Sequence, residues 1–132
     1  MRVFLDTNVI VSGFGTRGLS SDVVRLLMAE HELLTSEVVL EETQRVLTEK
    51  FGVPEAKAAE IDRLLRQHHV EPIPSSAPPV EVRDPDDAVV LASAISAEAE
   101  ILITGDKDLL DIAEKTDALQ IMTPRAFWEE VR

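Results

Sequence analysis

Apolar residues fall in short runs separated by longer amphipathic stretches. Val3-Phe4-Leu5, within residues 2–6, predicts a short buried strand. Leu33-Leu34-Thr35-Ser36 predicts a second strand, Ile101-Leu102-Ile103-Thr104 the clearest one, and Leu119-Gln120-Ile121-Met122 the last. Val70-Glu71-Pro72-Ile73 fits an edge strand, where proline is tolerated. Between these runs the spacing turns helical. Ser20-Ser21-Asp22 supplies cap residues for a helix through Val23, Val24, Leu26, Leu27 and Met28. Ser36 caps a helix reaching about Phe51, where Gly52 ends it, and Pro54 opens a further helix with Ala56, Ala59, Ile61, Leu64 and Leu65. Residues 85–99 predict a helix that is apolar nearly all round. A short helix follows around Leu109–Ala113, and Pro124 starts a terminal helix that carries Phe127 and Trp128 into the core. Residues 13–18, with Gly13, Gly15 and Gly18, read as a loop. The segment 74–85, with Pro74, Pro78, Pro79 and Pro85, reads as a connection too short to divide domains.

Strands alternating with helices predict an α/β fold: one domain over residues 1–132, with a mainly parallel sheet of about five strands flanked by helices. Such sheets place their sites outside the carboxyl ends of the strands.

Composition narrows the chemistry. The 132 residues include no cysteine, which excludes disulfides, zinc–thiolate sites and thiol catalysis. No apolar run approaches the ~20 residues that span a bilayer. The first acid, Asp6, comes too early for a signal peptide. A cytoplasmic protein without a membrane role is expected. The 13 basic and 25 acidic residues leave a net charge of −12, the reverse of the basic face usual in nucleic-acid binding. Acids that hold divalent cations would invert the local sign, so the positions of the acids matter more than their number.

Asp6 lies between two apolar runs, Val3-Phe4-Leu5 and Val9-Ile10-Val11, where an acid must cap a turn, pair, or bind a cation. On the helix after Ser36, Val39, Leu40, Val46 and Leu47 form one stripe at 100° per residue. Glu41 points away from that stripe, whereas Glu42 lies at its border and can reach inward. In Asp84-Pro85-Asp86-Asp87, Asp84 suits an N-cap, Pro85 the first helical position, and Asp87 the positive end of the helix dipole. Asp87 nevertheless shares a face with Val90, Leu91 and Ala94. In Thr104-Gly105-Asp106-Lys107-Asp108, capping accounts for one of the two aspartates, not readily for both. Asp6, Glu42, Asp87 and Asp106 can thus converge on one edge of a parallel sheet. Carboxylates packed together repel strongly. Mg²⁺ or Mn²⁺, which take hard oxygen ligands, would relieve that repulsion, activate water and offset charge on a phosphate. Arg17, Lys107 and Arg25 could contact phosphates, with ordinary surface charge the plainer reading for the two arginines. His31, His68 and His69 lie outside the acidic motifs and read as surface residues.

Four segments together resemble the PIN-domain nucleases: Val3-Phe4-Leu5-Asp6-Thr7-Asn8, Leu40-Glu41-Glu42, Asp87-Ala88 with Ala92 and Ala94, and Thr104-Gly105-Asp106-Lys107-Asp108-Leu109. Their order and spacing are similar to the branch of VapC-like toxins from toxin–antitoxin pairs. The resemblance implies a metal-dependent ribonuclease using Mg²⁺ or Mn²⁺. Asp6, Glu42, Asp87 and Asp106 would be its catalytic acids and metal ligands, and Asp108 an accessory ligand. Asn8 and Thr104 match polar positions beside the acids, and with Lys107 they form the expected substrate-binding set. The partners so implied are RNA, an antitoxin protein and a second copy of the chain in a homodimer.

Other readings need different residues. A haloacid-dehalogenase-type phosphatase wants a second Asp two positions after the first, where Asn8 stands. A phosphorelay receiver wants paired acids at the first strand end, where Asp6 is followed by Thr7. A non-catalytic interaction module on the same fold remains the alternative of a different class.

Overall fold

The computed structural model describes residues 1–131. Its five strands are β1 (Arg2–Leu5), β2 (Glu32–Ser36), β3 (His69–Glu71), β4 (Ile101–Ile103) and β5 (Gln120–Met122). They form one sheet in the order β3-β2-β1-β4-β5, and every neighbouring pair is parallel. Among the described residues there are seven α-helices: α1 (Thr7–Gly15), α2 (Leu19–Glu30), α3 (Glu37–Arg45), α4 (Glu55–Leu65), α5 (Pro85–Ser96), α6 (Lys107–Leu110) and α7 (Pro124–Val131). The fold is α/β with a five-stranded parallel sheet, as the alternation of elements predicts. None of the helices among these residues is long and apolar enough to cross a membrane.

The core follows from the apolar runs. Val3, Phe4, Leu5, Leu34, Leu102 and Ile103 are fully buried, because central strands of a parallel sheet are covered on both faces. Leu27, Leu91 and Phe127 close the core from the helices, and Trp128 packs partly buried against it.

The chain runs outward from β1 through β2 to β3, then crosses back to β4 on the other side of β1. The direction reverses between β1 and β4, and a doubly wound sheet opens its crevice at such a reversal. The register Leu5↔Ile103 brings the ends of these two strands level.

Four local features depart from the sequence reading. The segment after Asp6 is a helix, α1, which runs into the glycine-rich stretch expected to be a loop. A Cβ on Gly13 would stand 2.7 Å from Val24 Cγ2 and 3.2 Å from the Ser20 carbonyl, so glycine there lets α1 and α2 approach closely. α2 begins at Leu19 with Gly18 at its cap; Asp22 lies in its first turn, and Ser20 and Ser21 are already helical. α3 passes into a π-helix, Val46–Lys50, in which the Phe51 N–H donates to the Val46 carbonyl; Gly52, at φ +61°, then ends it as expected. α5 stops at Ser96, three residues early, because Glu98 turns left-handed at φ +58° and the Arg2 guanidinium takes the Glu98 carbonyl.

Candidate active site

Asp6 immediately follows β1 and is the N-cap of α1. Its backbone N–H donates to the Ile103 carbonyl at 3.1 Å, which locks the strand end to β4. The carboxylate is buried and fully engaged. Oδ1 accepts the Thr7 N–H at 2.7 Å; Oδ2 accepts the Thr104 hydroxyl at 2.7 Å and Asn8 Nδ2 at 3.1 Å. Burial pushes the Asp6 carboxyl above its ordinary range, while the Thr104 and Thr7 donors pull the other way. Of the roles open at the sequence level, capping is the one these bonds display.

The loop after β4 is built from the same groups. Thr104 is completely buried; its hydroxyl, besides donating to Asp6, accepts the Asp106 N–H at 2.9 Å. Asn8 Oδ1 accepts the Gly105 N–H at 2.8 Å, and a Cβ on Gly105 would stand 3.3 Å from that oxygen, so a small residue suits the turn. Asp106 caps α6, with Oδ1 accepting the Asp108 N–H at 2.8 Å. Thr104 was expected to face substrate; its burial makes it instead a post that aims Asp6 and the Asp106 backbone.

Asp87 sits in the first turn of α5, turned inward with Val90, Leu91 and Ala94. Its Oδ2 is buried with no hydrogen-bond partner among the described residues. Burial, and then the facing Asp106 carboxylate, push the Asp87 carboxyl up to about 8. Glu42, midway along α3, is half-buried, and its carboxyl is raised by burial and then by the charge of Asp6. Glu41 is exposed, as the helical-face argument predicts.

Asp6, Glu42, Asp87, Asp106 and Asn8 all line one cavity of about 780 Å³. Asp84 and Asp86 join its acidic side. Val46, Leu47, Phe51 and Val53 form an apolar wall, where Lys50 is the single cation. Lys107 is exposed at the start of α6, outside this lining. Asp108 is also outside it, but turns toward α5: one oxygen each of Asp84, Asp87 and Asp108 lie within 4.8 Å of one another. Sequence reasoning assigned Asp84 to capping alone. It does cap, accepting the Asp86 N–H at 2.8 Å, and its place beside Asp87 and Asp108 depends on how α5 meets α6.

The sequence matches the model of the PIN domain over residues 2–108. The chain belongs to the PIN-domain family. This PIN domain shares its fold with a chain of VapBC2 from Rickettsia felis, crystallised bound to a DNA fragment from its promoter: TM-score 0.63, 14% identity, 92% of this chain and 97% of that one covered. It shares it also with Mycobacterium tuberculosis VapC20, a sarcin–ricin loop cleaving toxin: TM-score 0.58, 20% identity, 83% and 93% covered. Compared with curated proteins, this PIN domain has no match.

Proposed function

We propose that this PIN domain is a divalent-metal-dependent ribonuclease, and that it is the toxin of a toxin–antitoxin pair. The observation that carries the reading is the convergence of Asp6, Glu42, Asp87 and Asp106 on one cavity at the reversal point of the sheet, with a buried Asp87 oxygen that has no partner among the described residues. An unpartnered buried carboxylate oxygen is costly, and so is the repulsion among four acids on one cavity, unless a cation sits among them. The donor set is all hard oxygen, which fits Mg²⁺ or Mn²⁺. Asp6, Glu42, Asp87 and Asp106 would hold the ion, with Asp108 and Asp84 flanking it. When bound, such an ion lowers the pKa of water and offsets charge on a phosphate under attack.

The chain's own residues prepare that site. Thr104 and the Thr7 N–H fix both Asp6 oxygens, so the carboxylate cannot rotate away. Asn8, which is exposed, ties Asp6 to the Gly105 turn and offers an amide to substrate at the cavity edge. Burial and Asp106 raise the Asp87 carboxyl, and a cation bound there would displace its proton. The nature of the substrate and of the partner rests on likeness of fold: VapC20 is a sarcin–ricin loop cleaving toxin, and VapBC2 is a pair seen on promoter DNA. We extend this to RNA cleavage, an antitoxin partner and a homodimer here.

The test is incubation of purified protein with structured and single-stranded RNA, with Mn²⁺, with Mg²⁺ and with chelator. Cleavage that requires the ion and disappears in Asp6→Asn supports the reading. Cleavage without any ion would overturn the metal dependence, and no cleavage with either ion would leave a non-catalytic interaction module as the better description.

A further inference from the structure

A second cavity, of about 380 Å³, opens between α1 and α2. Gly15 and Thr16 line both cavities, so the two adjoin at the end of α1. Their charges are opposite. The first carries six carboxylates and Lys50; the second carries Arg17 and Arg25 and no acid. Elsewhere on the chain Arg2 pairs with Glu32, Arg66 with Glu37 and Asp62, Lys57 with Glu60, and Arg125 with Glu129, while the other lysines and arginines make no ion pair among the described residues. Arg17 and Arg25 are exposed and make no ion pair among the described residues; Arg25 reaches only the Ser21 hydroxyl, at 3.4 Å. Phe14 and Met28 give the same groove an apolar floor. The close approach at Gly13 holds α1 and α2 together, and so keeps the two arginines on one groove.

We propose that this groove is the track for the single-stranded substrate leaving the acidic site, with Arg17 and Arg25 holding backbone phosphates and Phe14 meeting a base. The proposal rests on the ribonuclease reading for the direction of the track, not for the existence of the groove. Free guanidiniums beside an aromatic floor match the combination that binds single strands, namely a positive groove along the backbone and a stacking surface. Its position also answers the charge problem of an acidic protein: RNA is gripped next to the carboxylates, not over them.

The test uses the Asp6→Asn protein, so that bound RNA is not cut, and a fluorescein-labelled single-stranded RNA of about 12 nucleotides. Affinity is read by anisotropy across a KCl series at fixed Mg²⁺. Adding Arg17→Ala and Arg25→Ala should weaken binding roughly tenfold. It should also flatten the dependence of log K on log salt by about 1.4, since each single-strand phosphate contact contributes about 0.7. The lysine versions, Arg17→Lys with Arg25→Lys, should keep the slope. Lys57→Ala with Arg63→Ala removes equal charge on α4 and should leave the slope at the parent value. Equal slopes in the two alanine pairs, or no RNA binding by the parent, would overturn the track. The ribonuclease reading is judged separately, by Mn²⁺-dependent cleavage with Asp6 intact: cleavage with equal slopes sinks the track alone, and unequal slopes without cleavage sink the ribonuclease alone.

Discussion

The Thr104 hydroxyl donates to Asp6 Oδ2 at 2.7 Å, joining residues 98 positions apart across the ends of β1 and β4. The same oxygen accepts the Asp106 N–H, so one buried hydroxyl aligns a carboxylate on one strand end with the cap of a helix on the other. Thr104→Val keeps the shape and removes both bonds. It should cost about 1–3 kcal/mol, the penalty for buried groups left unpaired. Ribonuclease activity should also fall by about 10–100-fold, as for other groups that orient ligands. Chemical denaturation and cleavage rates measured on the same preparation check both; a stable, fully active variant would remove Thr104 from the site.

Asp6→Asn preserves the N-cap geometry, because asparagine caps as well as aspartate. It removes one negative charge from the cavity. The far-UV circular dichroism should be unchanged while metal-dependent cleavage drops by on the order of 100-fold or more, the upper end of the effect of losing a ligand's support. Retained cleavage would contradict the placement of the ion.

Glu41 and Glu42 are neighbours with opposite surroundings, one exposed and one lining the cavity. Glu42→Gln should lower activity and metal affinity together. Glu41→Gln should alter neither. Titration of Mn²⁺ by calorimetry separates them, and equal effects from the two would refute the facing deduced for α3.

The acids make a specific prediction for pH. The Asp87 carboxyl is raised from 3.8 to about 8 in the folded protein, so between those values the folded chain binds more protons than the unfolded one. Its contribution to stability is therefore fully present below the unfolded pKa and is lost as pH rises through about 8. Asp6 and Glu42, also raised, act in the same direction. Glu37 beside Arg66 and Glu71 beside His69 are lowered, so their contribution is lost only as pH falls below their ordinary value of 4.5. The metal-free melting temperature should thus decline from mildly acidic toward alkaline pH, and Asp87→Asn should flatten the decline.

Mn²⁺ should reverse that trend, since the ion replaces protons on the same carboxylates. At a hundred times its dissociation constant it should stabilise by about 2.7 kcal/mol, which is several degrees of melting temperature at about 2–8 °C per kcal/mol. Monovalent salt at matched ionic strength controls for screening. Equal shifts in the parent, Asp6→Asn and Asp106→Asn would show screening of the net charge and no bound ion.

Much of this arrangement is written locally in the chain. Apolar runs such as Val3-Phe4-Leu5 and Ile101-Leu102-Ile103 mark the strands, since a strand covered on both faces must be apolar throughout. The 100° helical step separates Glu42 from Glu41, and the apolar context of Asp6 and Asp87 marks them as acids that need a reason to be buried. Those signals depend on near neighbours only. α1 was not legible, because Val9, Ile10, Val11 and Gly13 are weak helix formers whose helix is held by packing against α2. The strand order was not legible either: that β4 lies beside β1 is a consequence of how five strands share one core, and it alone brings Thr104 to Asp6. Asp84 beside Asp87 and Asp108, the π-turn that sets Phe51 on the cavity wall, and the groove between α1 and α2 depend likewise on contacts between distant segments. Periodicity determines which face of an element is buried; what that face meets is decided by the packing of the whole chain, and the site lies where those faces meet.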